Sequence, residues 1–253
     1  MVLVRWAFAV ALGFALAACG SNSDRPLQGW VEANLVFVSP DEAGRIEDLA
    51  VREGDRVSAG AALFTVDNDL QKADLAIKQA ALVTAQQAFD RARELVRAAA
   101  GTQKALDDAQ AGLAQAQANL EWAQTRLARR RGASPAAGVI QQIYFRPGET
   151  VPAGRPVVSL LPPQNLKIRF FAPEAFLPRV KIGQSVNVSC DGCEKNLTAK
   201  VSFIAGTAEF TPPVIYSLEE RSKLVFLIEA RPDDPEKFRV GQPVSVVVPD
   251  ATK

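Results

Sequence analysis

The chain has 253 residues, 48% of them hydrophobic, so it is long enough to bury one large core or two small ones. Its 29 basic and 28 acidic side chains leave a formal net charge of +1, which argues against electrostatic binding of nucleic acid. It contains no histidine, which excludes imidazole-ligated metal sites and nucleophilic catalysis by a Ser-His or Cys-His pair.

The first segment, residues 1–18, is typical of a signal peptide. A positive charge at Arg5 precedes an apolar run that begins at Trp6 and is shorter than the roughly 20 residues that span a bilayer. The run ends in Leu-Ala-Ala before Cys19, which is similar to the lipobox of bacterial lipoproteins. Cleavage there would expose Cys19 for acylation and leave residues 19–28 as a linker to the first domain. An ordinary Ala-x-Ala type cleavage site is the alternative.

Two segments further along the chain match each other without gaps. Residues 44–66 align with residues 138–160 at an offset of 94 (138 − 44 = 94), and seven positions coincide, three of them glycines. Alternating apolar residues followed by glycine turns predict short strands joined by hairpins. A half-domain of about 25 residues is too small to bury its own core. The two halves are therefore expected to pack on one another.

Between these halves, residues 68–132 are predicted to form an antiparallel helical hairpin. No proline occurs between Pro40 and Pro135, and the segment is rich in alanine. Apolar residues recur every seven positions in both arms, with alanines three residues later, which is typical of a coiled coil. The series are Leu75, Leu82, Phe89 and Val96, then Leu106, Leu113, Leu120 and Leu127. Gly101 is expected to take the left-handed position after the first helix, and Thr102 to cap the second.

Two such β halves interrupted by a helical hairpin resemble the split lipoyl domain, a barrel-sandwich hybrid, of the HlyD family of periplasmic adaptor or membrane fusion proteins. The resemblance assigns residues 29–67 and 133–162 to this domain. In carrier domains of the same fold, a lysine at the turn that joins the halves bears the cofactor. Asp67-Asn68-Asp69 enters the helix at that place instead. The sequence therefore predicts no cofactor and argues against swinging-arm catalysis.

The end of the hairpin carries a three-residue pattern, Arg91, Leu95 and Thr102. It resembles the Arg-Leu-Ser tip motif with which adaptors of this family engage TolC-like outer-membrane channels, with threonine in place of serine. The resemblance implies that Arg91 offers a cation, Leu95 an apolar contact and Thr102 a hydroxyl to the channel. The alternative is structural: Thr102 caps a helix, Leu95 fills the seam beside Val96, and Arg91 is solvated.

The last segment, residues 163–249, is predicted to form a small β-barrel, followed by a tail at residues 250–253. Its five predicted strands are Leu166–Phe171, Ser185–Cys190, Leu197–Ile204, Leu224–Ala230 and Pro243–Val248. The Glu-Phe-Thr-Pro-Pro segment that starts at Glu209 is similar to HlyD-like adaptors of ABC exporters. The additional membrane-proximal domain of many RND-linked adaptors does not follow the barrel, which also favours an ABC partner.

Cys190 and Cys193 surround an Asp-Gly turn. A zinc site would need further ligands, and a thioredoxin-like motif would need its own fold and a helix N-terminus, so no metal is predicted. In an exported protein we expect the pair to form a small structural disulfide.

These observations predict an elongated α+β protein: a split lipoyl-like domain interrupted by a coiled-coil hairpin, then a small barrel. The resemblance implies a non-catalytic periplasmic adaptor of a tripartite export system, lipid-anchored with the inner membrane favoured. It would oligomerise, commonly as a hexamer, and link an inner-membrane transporter to a TolC-like channel. The transporter would be of the ABC type, with RND or MFS types possible. The alternative function is a periplasmic scaffold or binding lipoprotein that docks no channel. We find no constellation typical of an enzyme.

Overall fold

The computed structural model of the chain describes residues 26–210 and 224–249. The predicted signal peptide, Cys19 and most of the Glu-Phe-Thr-Pro-Pro segment lie outside these ranges. The chain divides into two compact units, one formed by Met1–Ala33 with Gln164–Lys253 and the other by Asn34–Pro163. The predicted α+β class and helical hairpin are confirmed.

The helices and strands are numbered here in chain order. The two long helices are α1 (Asp69–Arg97) and α2 (Gln103–Ala128). The strands are β1 (Leu27–Ala33), β2 (Val36–Val38), β3 (Gly44–Leu49), β4 (Arg56–Val57), β5 (Ala62–Val66), β6 (Arg131–Ala133), β7 (Gly138–Ile143), β8 (Thr150–Val151), β9 (Val158–Leu161), β10 (Leu166–Pro173), β11 (Ser185–Ser189), β12 (Leu197–Phe210), β13 (Leu224–Pro232) and β14 (Pro243–Val247).

The unit Asn34–Pro163 contains two four-stranded sheets, in the orders β2-β9-β7-β4 and β6-β5-β3-β8. The matched segments exchange strands, since β4 of the first pairs with β7 of the second and β8 of the second with β3 of the first. The turns are equivalent as well. The Gly54 N–H donates to the Ile140 carbonyl and the Gly148 N–H to the Ile46 carbonyl, both at 2.8 Å. Neither half is complete alone, as the short repeat predicted.

One hydrophobic core lies between these two sheets. Both matched segments contribute fully buried side chains, namely Ile46, Leu63, Phe64 and Val66 from the first and Ile140, Val151, Val157, Val158 and Leu160 from the second. A half of about 25 residues buries too little apolar surface to be stable alone, so the two halves share one core. The helical hairpin leaves this domain after β5 and returns to it at β6.

The two helices pack along the predicted heptad seam. All eight predicted apolar seam residues are half-buried, and two of the interleaved alanines, Ala116 and Ala123, are fully buried. Small residues at these positions let the helix backbones approach closely. At 1.5 Å per residue, α1 with 29 residues is about 44 Å long and α2 with 26 residues about 39 Å.

The turn between the helices differs from the prediction at Gly101. Ala99, not Gly101, takes the left-handed conformation, with φ 56°. The Ala99 N–H donates to the Val96 carbonyl at 3.0 Å and the Ala100 N–H to the Leu95 carbonyl at 2.8 Å, which is the Schellman arrangement that closes a helix. Gly101 lies instead at a close approach of the chain to α1, because a Cβ there would lie 3.0 Å from the Leu95 Cβ, a tight contact.

The second unit contains a closed six-stranded barrel in the order β1-β10-β13-β12-β11-β14. Five of its strands coincide with the predicted ones to within a few residues, except that β12 continues to Phe210. The sixth strand, β1, corrects the assignment of residues 29–33 to the split β domain, because β1 pairs with β10 and β14. Its buried Leu27 and Val31 lie on the same face of the strand, but Gly29 between them and the large apolar Trp30 on the other face interrupt the alternation of apolar and polar residues.

Candidate functional site

The hairpin tip, defined here as residues 91–102, brings the predicted docking residues to one end of the helical pair. Arg91 and Leu95 are four residues apart on α1 and therefore lie on the same helix face. Leu95 is 51% exposed, whereas its neighbour Val96 occupies the seam. The alternative in which Leu95 fills the seam is therefore wrong, and its exposed apolar surface is available for a contact.

Arg91 differs from the other charged residues in the last two turns of α1. Asp90 pairs with Arg93 at 3.3 Å, and Glu94 pairs with Arg97 at 2.8 Å. Arg91 is exposed and makes no ion pair or side-chain hydrogen bond with any residue in the described ranges. Its guanidinium therefore keeps all its donors for an external acceptor.

Thr102 has a structural role at the tip. It is the N-cap of α2, with extended backbone (φ −101°, ψ 149°), and its Oγ1 accepts a hydrogen bond from the Ala105 N–H at 3.2 Å. This satisfies one of the free N–H groups of the first helical turn. The side chain is also exposed, and a hydroxyl retains further capacity to donate.

At the opposite end of the hairpin, one carboxylate contacts both helices. Glu42, in the connection between β2 and β3, accepts two hydrogen bonds from Arg126 of α2, at 3.0 and 3.2 Å. Gln71 of α1 donates to the same carboxylate at 3.5 Å. The hydrogen bond from Arg126 lowers the pKa of the Glu42 carboxyl below its ordinary value, assisted by the charges of Arg126 and Arg130. We call Glu42, Gln71, Arg126 and Arg130 the hairpin root.

Arg130 is the most buried cation of the hairpin root. Its side chain is 10% exposed, and its guanidinium donates to the Ala43 carbonyl at 3.1 Å and the Glu42 carbonyl at 3.5 Å. The Val66 N–H in turn donates to the Arg130 carbonyl at 2.9 Å. These bonds join the ends of the hairpin to β5 and to the β2–β3 connection, and they fix where the helices leave the sheets.

Sequence reasoning missed the hairpin root. Basic residues such as Arg129-Arg130-Arg131 are common at the end of a helix, where they complement its dipole, but Arg130 donates to the β2–β3 connection and Arg131 begins β6. The sequence feature that could have indicated the hairpin root is the acidic pair Asp41-Glu42, which precedes the first of the two matching segments. Its pairing with α2 spans 84 residues, and sequence alone does not identify contacts at that distance.

The place of the carrier lysine is taken by the start of α1. The Asp67 N–H donates to the Arg45 carbonyl at 2.8 Å, and Asp67 Oδ1 accepts from the Asp69 N–H at 3.2 Å. Asn68 is buried at the N-cap. These side chains build the helix start, and none is a primary amine that a lipoyl or biotinyl group would need.

Cys190 and Cys193 are joined by a disulfide across the turn that follows β11, with 5.3 Å between their Cα atoms. Gly192 takes φ 75° within this turn. The Gln242 amide approaches both sulfurs, at 3.2 and 3.3 Å. Among residues 26–210 and 224–249, no group of three or more His, Cys, Asp or Glu side chains is placed to hold a metal ion. No helix in the same ranges is long and apolar enough to cross a membrane.

No family model matches the chain. Among curated proteins, it is 34% identical over 130 residues to a UPF0194 membrane protein encoded in the asrC 5′ region of Acidithiobacillus ferridurans, covering 49% of this chain and 38% of that protein. It is 28% identical over 122 residues to the UPF0194 membrane protein YbhG of Salmonella paratyphi B, covering 47% and 37%. The matched part thus spans less than two fifths of these relatives.

Solved structures match more of the chain. The membrane fusion protein Spr0693 of Streptococcus pneumoniae has a TM-score of 0.70 at 21% identity and covers 90% of this chain and 100% of its own. A chimera of MacA carrying the α-hairpin of Pseudomonas aeruginosa MexA has a TM-score of 0.70 at 22% identity, covering 91% and 80%. The chain therefore has the fold of the membrane fusion proteins, which confirms the predicted resemblance to periplasmic adaptors.

Proposed function

We propose that this chain is the adaptor subunit of a tripartite export system, in which it links an inner-membrane transporter to a TolC-like outer-membrane channel without catalysing a reaction. The observation that carries the proposal is the fold shared with membrane fusion proteins over about nine tenths of the chain. In this proposal the helical hairpin is the part of the chain that contacts the channel.

The tip is the proposed contact with the channel. Arg91 supplies a guanidinium with no ion-pair or side-chain hydrogen-bond partner among the described residues, and Leu95 supplies half-exposed apolar surface on the same helix face. A directional cation beside an apolar contact is a combination that recurs at the centres of protein interfaces. In this proposal Thr102 holds the turn in shape and offers its hydroxyl to the channel.

The N-terminal segment is proposed to be anchored by acylation of Cys19, which would hold the chain at the periplasmic face of the inner membrane. An ABC-type transporter is the favoured partner because of the segment beginning at Glu209. Assembly as a ring, hexameric by resemblance, would enclose a conduit between transporter and channel. Such a ring needs no catalytic group, since its role is to connect two pores.

An in-cell crosslink tests the docking. A photoreactive amino acid is placed at Ala98, the exposed C-cap of α1, and the captured proteins are identified by mass spectrometry. We expect capture of a TolC-like channel and its loss in Arg91→Ala. Arg93→Ala is the matched control, because Arg93 lies two residues further along the same helix and is paired with Asp90.

One result would contradict the proposed role of Arg91, and another would contradict the docking itself. Equal capture in Arg91→Ala and Arg93→Ala would show that the tip contacts the channel without using the guanidinium. Capture of only other copies of this chain, or of nothing, while it co-purifies with a transporter, would indicate an inner-membrane scaffold or binding lipoprotein that docks no channel.

A further inference from the structure

The barrel contains two matching turns. Residues 181–184 precede β11 and residues 239–242 precede β14, and each has the order basic, aliphatic, glycine, glutamine. In each turn the glutamine Oε1 accepts from the N–H of the basic residue, at 2.9 Å in the first and 3.0 Å in the second. Gly183 and Gly241 take φ 84° and 81°. The two turns therefore have equivalent structures within one barrel.

Both turns present an aliphatic side chain to solvent. Ile182 is 70% exposed in the first turn and Val240 is 49% exposed in the second. The glycine and glutamine of each turn make its hydrogen bonds, so the exposed aliphatic residue is not needed to build it. Single exposed apolar residues are common on protein surfaces, but here the same aliphatic position recurs in two equivalent turns, so the two can be compared directly.

The strand register places the two turns at opposite ends of the barrel. β11 and β14 are antiparallel neighbours, so the turns that precede them lie at opposite ends. Leu27, the first residue of β1, pairs with Val246 near the end of β14, and Val188 of β11 pairs with Val246 on the other side. The chain therefore enters the barrel at the end that carries the Ile182 turn. The Gln184 amide donates to the Pro249 carbonyl at 3.2 Å at this end.

The two ends differ in charge. Near Ile182, Lys181 makes no ion pair with any described residue, and Arg179 lies over the Phe176 ring at 5.6 Å; Glu174 is the acidic residue of this segment. Near Val240, Arg239 is likewise exposed and makes no ion pair with any described residue, but acidic side chains lie close by, since Lys237 is paired with Glu194 at 2.7 Å and with Asp234 at 3.2 Å. Cationic and apolar side chains are thus combined at the end where the N-terminal segment enters.

The length of that segment limits how far this end can lie from a membrane. Cys19 is eight residues before Leu27 (27 − 19 = 8), and a fully extended chain spans about 3.5 Å per residue, so the tether reaches at most about 28 Å. If Cys19 is acylated, the barrel end with Ile182 is held close to lipid headgroups. Exposed basic residues near an anionic leaflet are attracted to it, and an apolar side chain beside them enters the interface.

We propose that the barrel end formed by Phe176, Arg179, Lys181 and Ile182 docks on the surface of an anionic phospholipid membrane. This inference rests on the proposed acylation of Cys19. The lipid chain would bring the barrel to the membrane, and the turn would fix which end faces the headgroups. The equivalent turn at Val240 faces away from the membrane.

The equivalent turns supply a matched control within one molecule. With Cys19 acylated and Cys190 joined to Cys193, a new cysteine is the one free thiol for labelling. The acylated full chain carrying Ile182→Cys or Val240→Cys is labelled with the fluorophore NBD. Each labelled chain is reconstituted into vesicles of equal parts phosphatidylcholine and phosphatidylglycerol, some containing a nitroxide phospholipid as quencher.

We expect the label at position 182 to shift to shorter wavelength and to be quenched, and the label at position 240 to remain unquenched. Vesicles of phosphatidylcholine alone, or the added substitution Lys181→Glu, should reduce the quenching at position 182. Equal quenching at both positions, or none at position 182, would overturn the proposal. Quenching at position 182 only in native inner-membrane vesicles would assign the turn to a protein partner instead.

Failure of the anchor is distinguishable from failure of the docking surface. The mass of the mature N-terminal peptide reports acylation directly. The docking surface is tested without the anchor by co-sedimenting the unacylated variant Cys19→Ala with the same anionic vesicles. Lys181→Glu should weaken this binding about fivefold or more, since one basic residue near an anionic surface contributes about that factor. Arg239→Glu is the control, and an equal loss in both variants would overturn the proposal.

Discussion

The hairpin root is held by side chains far apart in sequence, whereas the hairpin tip is closed by neighbours within a few residues. At the root, Glu42 accepts from Arg126 across 84 positions of sequence and Arg130 donates to the Ala43 carbonyl across 87. At the tip, the Schellman bonds and the Thr102 cap span at most five residues. The root therefore fixes the direction of the hairpin, and the tip keeps exposed groups for a partner.

Arg130→Ala should have the largest effect. Removing the guanidinium leaves the Ala43 carbonyl without its donor and empties a space in which the side chain is only 10% exposed. We expect the free energy of unfolding to fall by about 2–3 kcal/mol, measured by urea unfolding. Arg131→Ala changes an exposed neighbour and should cost less than about 0.5 kcal/mol. Similar losses in both variants would refute the specific role of Arg130.

Thr102→Ala tests the tip. Loss of the Oγ1 acceptor leaves the Ala105 N–H without its cap, which should cost about 1 kcal/mol and speed hydrogen exchange of that amide. Thr102→Ser keeps the hydroxyl and should preserve both stability and channel capture. Thr102→Ala could instead abolish capture of the channel without altering hydrogen exchange at the Ala105 amide. In that case the Thr102 hydroxyl would bind the channel and would not cap the helix.

Ala99→Gly should stabilise the tip. Ala99 has φ 56°, where a Cβ is strained and glycine is not, so the substitution should raise the free energy of unfolding by about 0.5–1 kcal/mol. Ala98→Gly is the control, because Ala98 has φ −81° and glycine there should destabilise by a similar amount. The thermal midpoints of the two variants should move in opposite directions from wild type. A shift of both in the same direction would contradict the assignment of strain to Ala99.

The difference between root and tip also explains which features the sequence predicted. The heptad seam and the Thr102 cap depend on neighbours in sequence, so periodicity and residue type identify them. The repeat predicted that the two halves share a core, because the two matching segments can be recognised in the amino-acid sequence and each is too short to fold alone. The contact between Glu42 and Arg126 and the β1 strand of the barrel depend on tertiary pairing over more than 80 residues, which leaves no local pattern.

The left-handed residue was misplaced for a related reason. Glycine is the usual residue at that position, so Gly101 was the natural choice. In the structure the helix ends two residues earlier, and Gly101 lies where the chain passes close to the Leu95 Cβ. The preference of glycine for turns identified Gly101 as a special position. It did not identify the reason, which is the close approach to Leu95 and not a left-handed backbone.

The smallest expected effect is the pH dependence of the hairpin root. The pKa of Glu42 is lowered in the folded protein, chiefly by the hydrogen bond from Arg126, so its contribution to stability is present above the unfolded value of about 4.5 and is lost as pH falls through the lower folded value. Both side chains are more than one third exposed, so solvent screening keeps the effect below that of Arg130→Ala.

Glu42→Gln removes the titrating group and keeps the shape of the side chain. The difference in unfolding free energy between wild type and Glu42→Gln should therefore shrink as the pH is lowered from neutral through the acid range, because the wild-type carboxyl becomes protonated and resembles the amide. Urea unfolding of both proteins across that range measures the difference. If it stayed constant with pH, the Glu42 carboxylate would not stabilise the root through its charge, and the orientation of the hairpin would depend on Arg130 and the backbone bond from Val66 to Arg130.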